Sequence, residues 1–395
     1  MSMLCASAPH PKADLREVDH KDHKTLHDKS GAICFIDYPW DKYAHQVDPS
    51  KLILSYHNFE KTPENLDEIL QNMKRISNAK FYKIATMARS SLDSIRMLDF
   101  VKNNPGVIGL CMGELGQITR ILAPVFETPI MYVASPNSAL GQVPLDVLLE
   151  VYHFRKLHVK TPLYGLIGDP VSQSPGHLYH NVAMQGKEVY CKIPLEAKEL
   201  SSFFQYARRL PFQGLSVTIP HKEAVLPFLD EIDDEAKQIG AVNTISLRGG
   251  RLIGSNTDGR AVLELLGNIR GKKIFILGAG GAARAAAYAT CRAGGEVTLL
   301  NRTEERAKIL ASEFGCKYGP LEALQESYDI LINTTATGMP ISSEDIQPGK
   351  LVIDLSLKAP SLLLEEALKK GCRVIRGLEV YFAQAAMQRA TWQLL

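Results

Sequence analysis

The segment "KKIFILGAGGAARAAAYATCRAGGEVTLLNRT", residues 272–303, limits the fold more tightly than any other part of the chain. An apolar strand ends at Gly278, a glycine turn follows, and an alanine-rich helix begins at once, before a second apolar strand. Gly278, Gly280 and Ala283 match the G-x-G-x-x-G/A pattern, in which glycines permit a tight turn and let backbone N–H groups at a helix N-terminus meet a pyrophosphate. The strand, helix and second strand together predict a dinucleotide-binding βαβ unit rather than a purely structural glycine turn.

The end of the second strand indicates which dinucleotide binds. Sites for NAD usually carry an acid there for the ribose 2′-hydroxyl, whereas this chain has Asn301, Arg302 and Thr303. If a helix begins at Thr303, Arg302 and Arg306 could converge on one anion, although Arg306 alone could equally lie on a solvated helix face. We therefore expect NADP as the cofactor. The expected cofactor-binding residues are Gly278, Ala279, Gly280, Gly281, Ala282, Asn301, Arg302, Thr303 and Arg306.

Two other series of alternating strands and helices precede this unit. From residue 31 to about residue 150, apolar runs such as "AICFIDYP", "KLILSYHNF" and "KFYKIATMA" alternate with amphipathic segments, which is typical of a parallel sheet buried on both faces. This series predicts a (β/α) barrel or a part of one, with "DVLLEVYHFRKLHVKTP" as a closing helix and linker. A second series starts at "LYGLIGDP" and ends in a hairpin that turns at Gly249 and Gly250.

Composition narrows the class of protein. The 395 residues carry a formal net charge of +2, so neither nucleic acid nor an anionic membrane is an expected partner. The seven cysteines are scattered without a CxxC or Cys/His spacing, which suits reduced thiols and predicts no metal site. No apolar run is long enough to cross a bilayer, and no secretory signal is present. We therefore expect a cytoplasmic protein that acts on small molecules.

Polar residues at strand ends predict a substrate site beside the cofactor. Lys222 follows the apolar strand of "GLSVTIPHKEA", and Asp258 follows the hairpin. A lysine in such a position is usually a surface residue, but a lysine held against a carboxylate can pass a proton to an alkoxide that forms at a ketone. Ser172 and Ser174 could both point at a carboxylate, or they could cap the next helix without any ligand.

Residues 160–395 resemble shikimate dehydrogenase along nearly their whole length. The motifs "SQSP", "SVTIPHK", "GAVNT", "NTDG", "GAGGAAR", "NRT" and "GLEVYFAQAA" match in order and spacing. The resemblance implies that Lys222 and Asp258 are the catalytic pair and that Ser172 and Ser174 bind the carboxylate. It also implies partners for the ring hydroxyls, namely Thr218, Asn243, Asp258 and Gln384. One departure is Leu357, which stands where the family usually has a tyrosine and could alter affinity or selectivity.

The first series carries a second candidate site. His57 ends one strand and Lys83 lies on the next, so parallel barrel strands would bring both to one mouth. There a lysine amine can condense with a ketone while an imidazole moves the proton of the neighbouring C–H. "SYHNFEKTP", "FYKIATM", "GQITR" and "SALGQ" resemble type I 3-dehydroquinate dehydratase. The resemblance implies Lys83 as the imine-forming residue, His57 as the acid/base, and substrate contacts from Arg120, Ser138 and Gln142.

This first domain is short for a complete barrel, which usually takes ~200–250 residues. "MLCASAP" and "DLREVDH" offer at most two strands before "AICFIDYP", where the family arrangement has three, and the missing strand would carry a further substrate arginine. We therefore expect dehydratase activity to be weak or undetectable while the dehydrogenase works. Two alternatives remain: a noncatalytic interaction or dimerisation module at residues 1–157, and a dinucleotide-binding regulator without turnover.

The predicted fold class is α/β. A (β/α) barrel-type N-terminal domain, either whole or incomplete, precedes a two-domain shikimate dehydrogenase with a Rossmann-type NADP domain. The expected boundaries are 1–157 for the first domain, 158–258 completed by 377–395 for the substrate-binding domain, and 259–376 for the NADP domain. The sequence leaves open the oligomeric state and the use of quinate as a substrate.

Overall fold

The computed structural model describes residues 2–5, 14–28, 30–43, 47–133, 141–357 and 360–394. The chain divides into two compact units. The first consists of Met1–Ile167 with Gly176–Phe212, and the second of Gly168–Pro175 with Gln213–Leu395. The boundaries expected for three domains stay a prediction.

The first unit contains an eight-stranded sheet in the order β7-β6-β5-β4-β3-β2-β1-β8. Strands β4 to β7 are parallel, as the sequence predicts, with a 3₁₀ turn between β4 and β5 and an α-helix in each of the next two links. The strands are β1 (Ser2–Cys5), β2 (Asp14–Asp19), β3 (Lys24–His27), β4 (Ile33–Pro39), β5 (Leu52–Asn58), β6 (Phe81–Met87), β7 (Val107–Met112) and β8 (Ile130–Tyr132). The helices are α1 (Leu66–Ile76), α2 (Ser91–Asn103) and α3 (Gln117–Ile121).

The strands before β4 differ from the expectation. Three strands are present, so the prediction of at most two was wrong, and β1, β2, β3 and β4 form an antiparallel meander. Residues 20–23 and 28–32 are the only links between β2, β3 and β4. Links this short can form hairpins, whereas a parallel connection needs a dozen residues or more. β8 pairs antiparallel with β1, and no pairing of β7 with β8 is found in the described part of the chain.

The helices of this unit follow from their sequences. Helix α1 buries Leu66, Ile69, Leu70 and Met73, which recur at helical spacing on one face. Helix α2 begins with a capping box between Ser90 and Asp93. The predicted closing helix is shorter than expected: a π-helical turn covers Val147–Val151 and a 3₁₀ turn covers Phe154–Lys156. His153 separates them in the left-handed conformation, which ends a regular helix.

The second sheet has six strands in the order β10-β9-β11-β13-β14-β12. Its hairpin β13–β14 turns at Gly249 and Gly250, both of which have positive φ, so the predicted glycine turn is confirmed. The strands are β9 (Leu163–Gly168), β10 (Val189–Pro194), β11 (Phe212–Val217), β12 (Glu231–Ile232), β13 (Thr244–Arg248) and β14 (Arg251–Ser255). The helices are α4 (Gly176–Met184), α5 (Leu200–Ala207), α6 (His221–Ala224), α7 (Asp234–Ile239) and α8 (Asp258–Leu266).

The third sheet is parallel throughout, in the order β17-β16-β15-β18-β19-β20, and confirms the predicted Rossmann-type unit. The strand order reverses beside β15, where such sheets bind their ligands. The strands are β15 (Lys273–Leu277), β16 (Glu296–Leu300), β17 (Lys317–Gly319), β18 (Ile330–Asn333), β19 (Leu351–Asp354) and β20 (Arg373–Ile375). The helices are α9 (Gly281–Arg292), α10 (Glu304–Phe314), α11 (Leu362–Lys369) and α12 (Gly377–Leu394).

Among the described residues, no helix combines the length and the apolar content that crossing a membrane requires.

Candidate functional site

In the first unit, polar side chains from neighbouring strands share one face of the sheet. Lys83 on β6 is paired with Ser55 on β5, and Ser55 is paired in turn with Pro39 on β4. Asp37 lies two residues before Pro39 on the same strand. Since paired residues and residues two apart point to the same side, the side chains of Lys83, Ser55 and Asp37 face one way. The Nζ atom of Lys83 lies 2.6 Å from Oδ2 of Asp37, and both side chains are buried. The sheet therefore holds a buried ion pair that includes Lys83, the lysine predicted from the sequence to form the imine.

A cavity of about 570 Å³ lies over this face. The structure brings Lys83 and His57 together there, with Arg120 and Gln142 on its wall. Ser138, the remaining predicted contact, lies outside the described residues. Tyr132 also lines the cavity, and its ring lies 4.3 Å from the Lys83 ammonium. Sequence reasoning missed Asp37 and Tyr132, although an aspartate inside the apolar run "ICFIDYP" was a usable signal.

Burial and charge set the protonation of this site. Burial pushes the pKa of Asp37 upward, but the charge and hydrogen bond of Lys83, with smaller contributions from Ser55 and His57, outweigh it and hold that pKa below its usual value. Burial, followed by the positive charge of Lys83, lowers the pKa of His57 to about 4, against a partial opposing effect of Asp37. At neutral pH the structure therefore presents a neutral imidazole beside a paired ammonium.

Arg120 is buried on α3 beyond the end of β7. One Nη1–H donates to the carbonyl oxygen of Cys111, while Nε has no hydrogen-bond partner among the described residues. Burial lowers the pKa of Arg120 to about 10, so the guanidinium stays charged at neutral pH. A buried cation with an unused donor at a cavity wall is suited to an anionic ligand group.

In the second unit, Lys222 and Asp258 form the predicted pair. Lys222 lies on α6 just after β11, and Asp258 begins α8 just after β14. The Nζ atom of Lys222 lies 2.5 Å from Oδ2 of Asp258. The side chains are 17% and 13% exposed, so both are sheltered yet open to a small molecule.

Asn243 connects this pair to the last helix. Its Nδ2 group lies 2.8 Å from Oδ1 of Asp258 and 3.2 Å from Oε1 of Gln384, so three predicted site residues meet. Thr257 joins the same network, because its backbone N–H donates to Oδ1 of Asn243 at 2.9 Å. On α12, Nε2 of Gln388 donates to the backbone oxygen of Asn243 at 2.9 Å. Thr257 and Gln388 were missed from sequence.

The other predicted substrate contacts lie at the end of β11 and in the adjacent loop. Thr218 follows β11 directly and is half-buried. The N–H of Asp169 donates to the oxygen of Ile219 at 3.0 Å, which ties the loop containing Ser172 and Ser174 to this strand end. Ser172 is exposed and Ser174 half-buried.

The glycine turn leaves room for a dinucleotide. Gly278 has a φ of +115°, and a Cβ atom there would lie 2.5 Å from Oγ1 of Thr334. A Cβ atom at Gly280 would meet nothing within 4 Å, so the space before the N-terminus of α9 is open. Ala279 lies in this turn and Ala282 in the first turn of α9. The turn fits a pyrophosphate group approached by backbone N–H donors.

The far end of β16 fits a 2′-phosphate better than a free 2′-hydroxyl. Helix α10 begins at Glu304 with Thr303 as its N-cap, close to the expected start. Arg302 and Arg306 are exposed, and the Nδ2 group of Asn301 donates to the oxygen of Thr303 at 2.8 Å. No carboxylate follows β16 at the position where an NAD site would carry one.

Within the described residues, no group of three or more His, Cys, Asp or Glu side chains is arranged to hold a metal ion.

Three family models match consecutive parts of the chain. Residues 40–158 match type I 3-dehydroquinase. Residues 166–245 match the shikimate dehydrogenase substrate binding domain, and residues 260–357 match shikimate/quinate 5-dehydrogenase. The first match starts directly after β4, so the antiparallel strands β1 to β3 lie outside it.

Two whole proteins are similar to most of this chain. The shikimate biosynthesis protein AroDE of Chlamydia pneumoniae is 36% identical over 363 residues, covering 87% of this chain and 73% of that protein. A bifunctional 3-dehydroquinate dehydratase/shikimate dehydrogenase of Arabidopsis thaliana is 36% identical over 379 residues, covering 86% and 62%.

Among solved structures, shikimate 5-dehydrogenase from Thermus thermophilus, in complex with NADP(H) and shikimate, is 35% identical with a TM-score of 0.56. The match covers 60% of this chain and 94% of that one. Since the Chlamydia pneumoniae protein is 36% identical and 73% of it is covered, and since models of both enzymes match this chain, the chain belongs to the family of bifunctional 3-dehydroquinate dehydratase/shikimate dehydrogenase proteins.

Proposed function

We propose that this chain catalyses two consecutive steps of the shikimate pathway. The first unit dehydrates 3-dehydroquinate to 3-dehydroshikimate, and the second reduces 3-dehydroshikimate to shikimate with NADPH. The observation that carries the proposal is the Lys222–Asp258 pair, which lies beside an open glycine turn in the second unit. The buried Lys83 with a neutral imidazole in the same cavity supports the first step.

In the reduction, the chain binds the ketone and manages one proton. Bound NADPH supplies the reducing equivalents. Lys222 delivers a proton to the ketone oxygen as it becomes a hydroxyl, and Asp258 holds the ammonium in place. Asn243 fixes the carboxylate of Asp258 through Oδ1, which leaves Oδ2 for the lysine.

The remaining residues of the second unit hold the two ligands. Ser172 and Ser174 bind the substrate carboxylate, while Thr218 and Gln384 contact ring hydroxyls. Gly278, Gly280 and the turn between them accept the pyrophosphate, and Asn301, Arg302, Thr303 and Arg306 surround the 2′-phosphate. Arg302 and Arg306 are exposed. Neither side chain therefore has to break an ion pair with a buried acid before it contacts this phosphate.

In the dehydration, the ammonium of Lys83 gives up one proton, the resulting amine attacks the ketone carbon, and that proton leaves in the water released as the iminium forms. Neutral His57 takes a proton from the carbon next to the iminium and returns it to the departing hydroxyl, which leaves as a second water. A water molecule then hydrolyses the product iminium and restores Lys83. Arg120 holds the carboxylate, with Gln142 and Ser138 as further contacts.

We expect the dehydratase to turn over slowly relative to the dehydrogenase. Strands β1 to β3 form hairpins where a closed barrel would have parallel strands followed by helices, so fewer loops surround the cavity. A substrate held less firmly reacts more slowly, because the reacting atoms must stay within about half an ångström of the productive geometry.

Two NADPH-consumption assays test the proposal. Protein and NADPH are mixed with 3-dehydroshikimate in one tube and with 3-dehydroquinate in the other. Both tubes should consume NADPH, the second more slowly. Lys83→Met should abolish consumption in the second tube and spare the first. No consumption in either tube would contradict the whole proposal, and a second tube insensitive to Lys83→Met would remove the dehydratase step.

We further propose that the enzyme acts in the cytoplasm on small molecules only. The cysteines whose side chains the structure describes are free thiols, which agrees with a reducing compartment.

A further inference from the structure

The antiparallel strand β3 contributes a cation to the cavity of the first unit. Lys24 is the first residue of β3, and its Cα is paired with that of Asp37 on β4. Because paired residues of an antiparallel ladder point to the same face, the Lys24 side chain lies on the face that carries Asp37 and Lys83. Lys24 accordingly lines the cavity together with His57. The strand that the family model does not cover thus reaches the candidate site.

The position of Lys24 along the sheet separates it from the other two cations. Lys83 on β6 lies three strands from β3, or about 14 Å at the usual strand spacing. Arg120 follows β7 and therefore lies on the opposite side of Lys83. A ligand whose ketone meets Lys83 and whose carboxylate meets Arg120 would extend its far edge toward β3.

The charge of the cavity agrees with a role in ligand binding. Lys24, Lys42, Lys83 and Arg120 line it, against the carboxylate of Asp41, while Asp37 is paired with Lys83. The positive charge of Lys24 is also among the causes that lower the pKa of His57, although it ranks behind burial and Lys83. Lys24 is therefore close enough to act on the same small molecule as His57.

We propose that Lys24 is a substrate-binding residue that donates a hydrogen bond from its ammonium to the ring hydroxyls on the edge opposite the carboxylate. This inference rests on the proposed dehydratase function of the first unit. Lys24 gives the shortened domain a hydroxyl contact from a hairpin strand, and it selects hydroxylated rings over plain cyclic ketones. A ring without hydroxyls leaves the ammonium with no ligand partner and gains nothing from Lys24.

The test measures imine formation rather than turnover. Wild-type protein is incubated with borohydride and increasing 3-dehydroquinate, and the reduced adduct on Lys83 is quantified by mass spectrometry. Lys24→Met should raise the half-saturating concentration about 10- to 100-fold, the range for a hydrogen bond to a charged group. With 3-oxocyclohexanecarboxylate, which keeps the ketone and carboxylate but lacks the hydroxyls, the same variant should match the wild type.

Two further variants serve as controls. Lys21→Met changes an exposed lysine in the adjacent turn, which is absent from the cavity lining, and should leave trapping of both ketones unchanged. Lys24→Arg keeps a cation at the same position and should trap 3-dehydroquinate within about threefold of the wild type, since arginine also donates to hydroxyls. If Lys24→Met fails to fold, Lys24→Gln, which removes the charge and keeps a shorter polar side chain, replaces it in the same comparison.

Each outcome has a defined meaning. Equal trapping of 3-dehydroquinate by wild type and Lys24→Met would overturn the inference, while wild-type turnover would still uphold the proposed function. An equal loss of trapping with both ketones would show a general effect of charge or folding. That result would also overturn the inference, unless Lys24→Arg restores selective trapping of 3-dehydroquinate. No adduct on wild-type Lys83 at any concentration would overturn both the inference and the dehydratase function.

Discussion

The depressed pKa of His57 predicts an imidazole that stays reactive in acid. A histidine with the ordinary pKa of about 6.5 is about 3% neutral at pH 5 and about 76% neutral at pH 7. With a pKa of about 4, His57 is about 90% neutral at pH 5 and almost fully neutral at pH 7. Lowering the pH from 7 to 5 should therefore cost His57 about a tenth of its nucleophilic form, whereas an ordinary histidine loses about 25-fold.

Diethyl pyrocarbonate measures this difference because it modifies only neutral imidazole. The rate of carbethoxylation of the peptide containing His57 is followed by mass spectrometry at pH 5 and pH 7, with N-acetylhistidine followed alongside as an ordinary imidazole. The rates at His57 should agree within about twofold between the two pH values, whereas the rate of N-acetylhistidine should fall about 25-fold at pH 5. A fall of about 25-fold at pH 5 would refute the assignment of a desolvated, cation-facing imidazole.

Variants of the neighbouring cations test the cause of the shift. Burial is the largest cause and the charge of Lys83 the second, with Lys24 a smaller one. Removing a like charge favours protonation of the imidazole, so the ratio of the rates at pH 7 and pH 5 should increase from wild type to Lys24→Met and further in Lys83→Met. Identical ratios in all three proteins would show that burial alone sets the pKa of His57.

Four other substitutions test the second unit. Lys222→Ala and Asp258→Ala should each lower shikimate oxidation by ~10²-fold or more, because each removes part of a positioned proton-transfer pair; near-normal rates would contradict the assigned proton path. Wild type should prefer NADP to NAD, and Arg302→Ala should raise the KM for NADP about 10- to 100-fold while hardly affecting NAD; equal use of both cofactors by the wild type would reject this. Gln388→Leu should loosen Asn243 and raise the KM for shikimate about tenfold, with exposed Gln393→Leu as the control; unchanged kinetics would show that Gln388 has no positioning role.

The parallel strands were predictable because each is a continuous apolar run. Strands β5 and β6, for example, bury most of their residues, and such runs stand out from any surrounding polar segment. Strand β3 buries only Thr25 and Leu26, so its sequence "KTLH" carries no comparable pattern. Its direction could have been deduced from the length of the links at 20–23 and 28–32, which exclude a parallel crossover.

Residues of the candidate sites could be predicted where a sequence motif identifies their chemistry. They could not be predicted where only the pairing of strands brings them into the site. Lys222 and Asp258 follow recognisable strand ends, and the structure places them 2.5 Å apart. Asp37 meets Lys83, and Lys24 reaches the cavity, only through the register of β3 to β6, which the linear sequence does not display. Gln388 could have been found, because it lies one helical turn after Gln384 on α12.

Gly281, the first residue of α9, meets two structural constraints at once. A Cβ atom there would lie 3.0 Å from Cβ of Lys222, closer than side chains normally pack, so the glycine makes space for the lysine as well as for the dinucleotide turn. In a mutational scan, a substitution at this position would be scored as a cofactor-binding defect because it falls within the glycine-rich sequence. Part of that defect would belong to Lys222, the proposed proton donor, and it should show epistasis with changes at position 222.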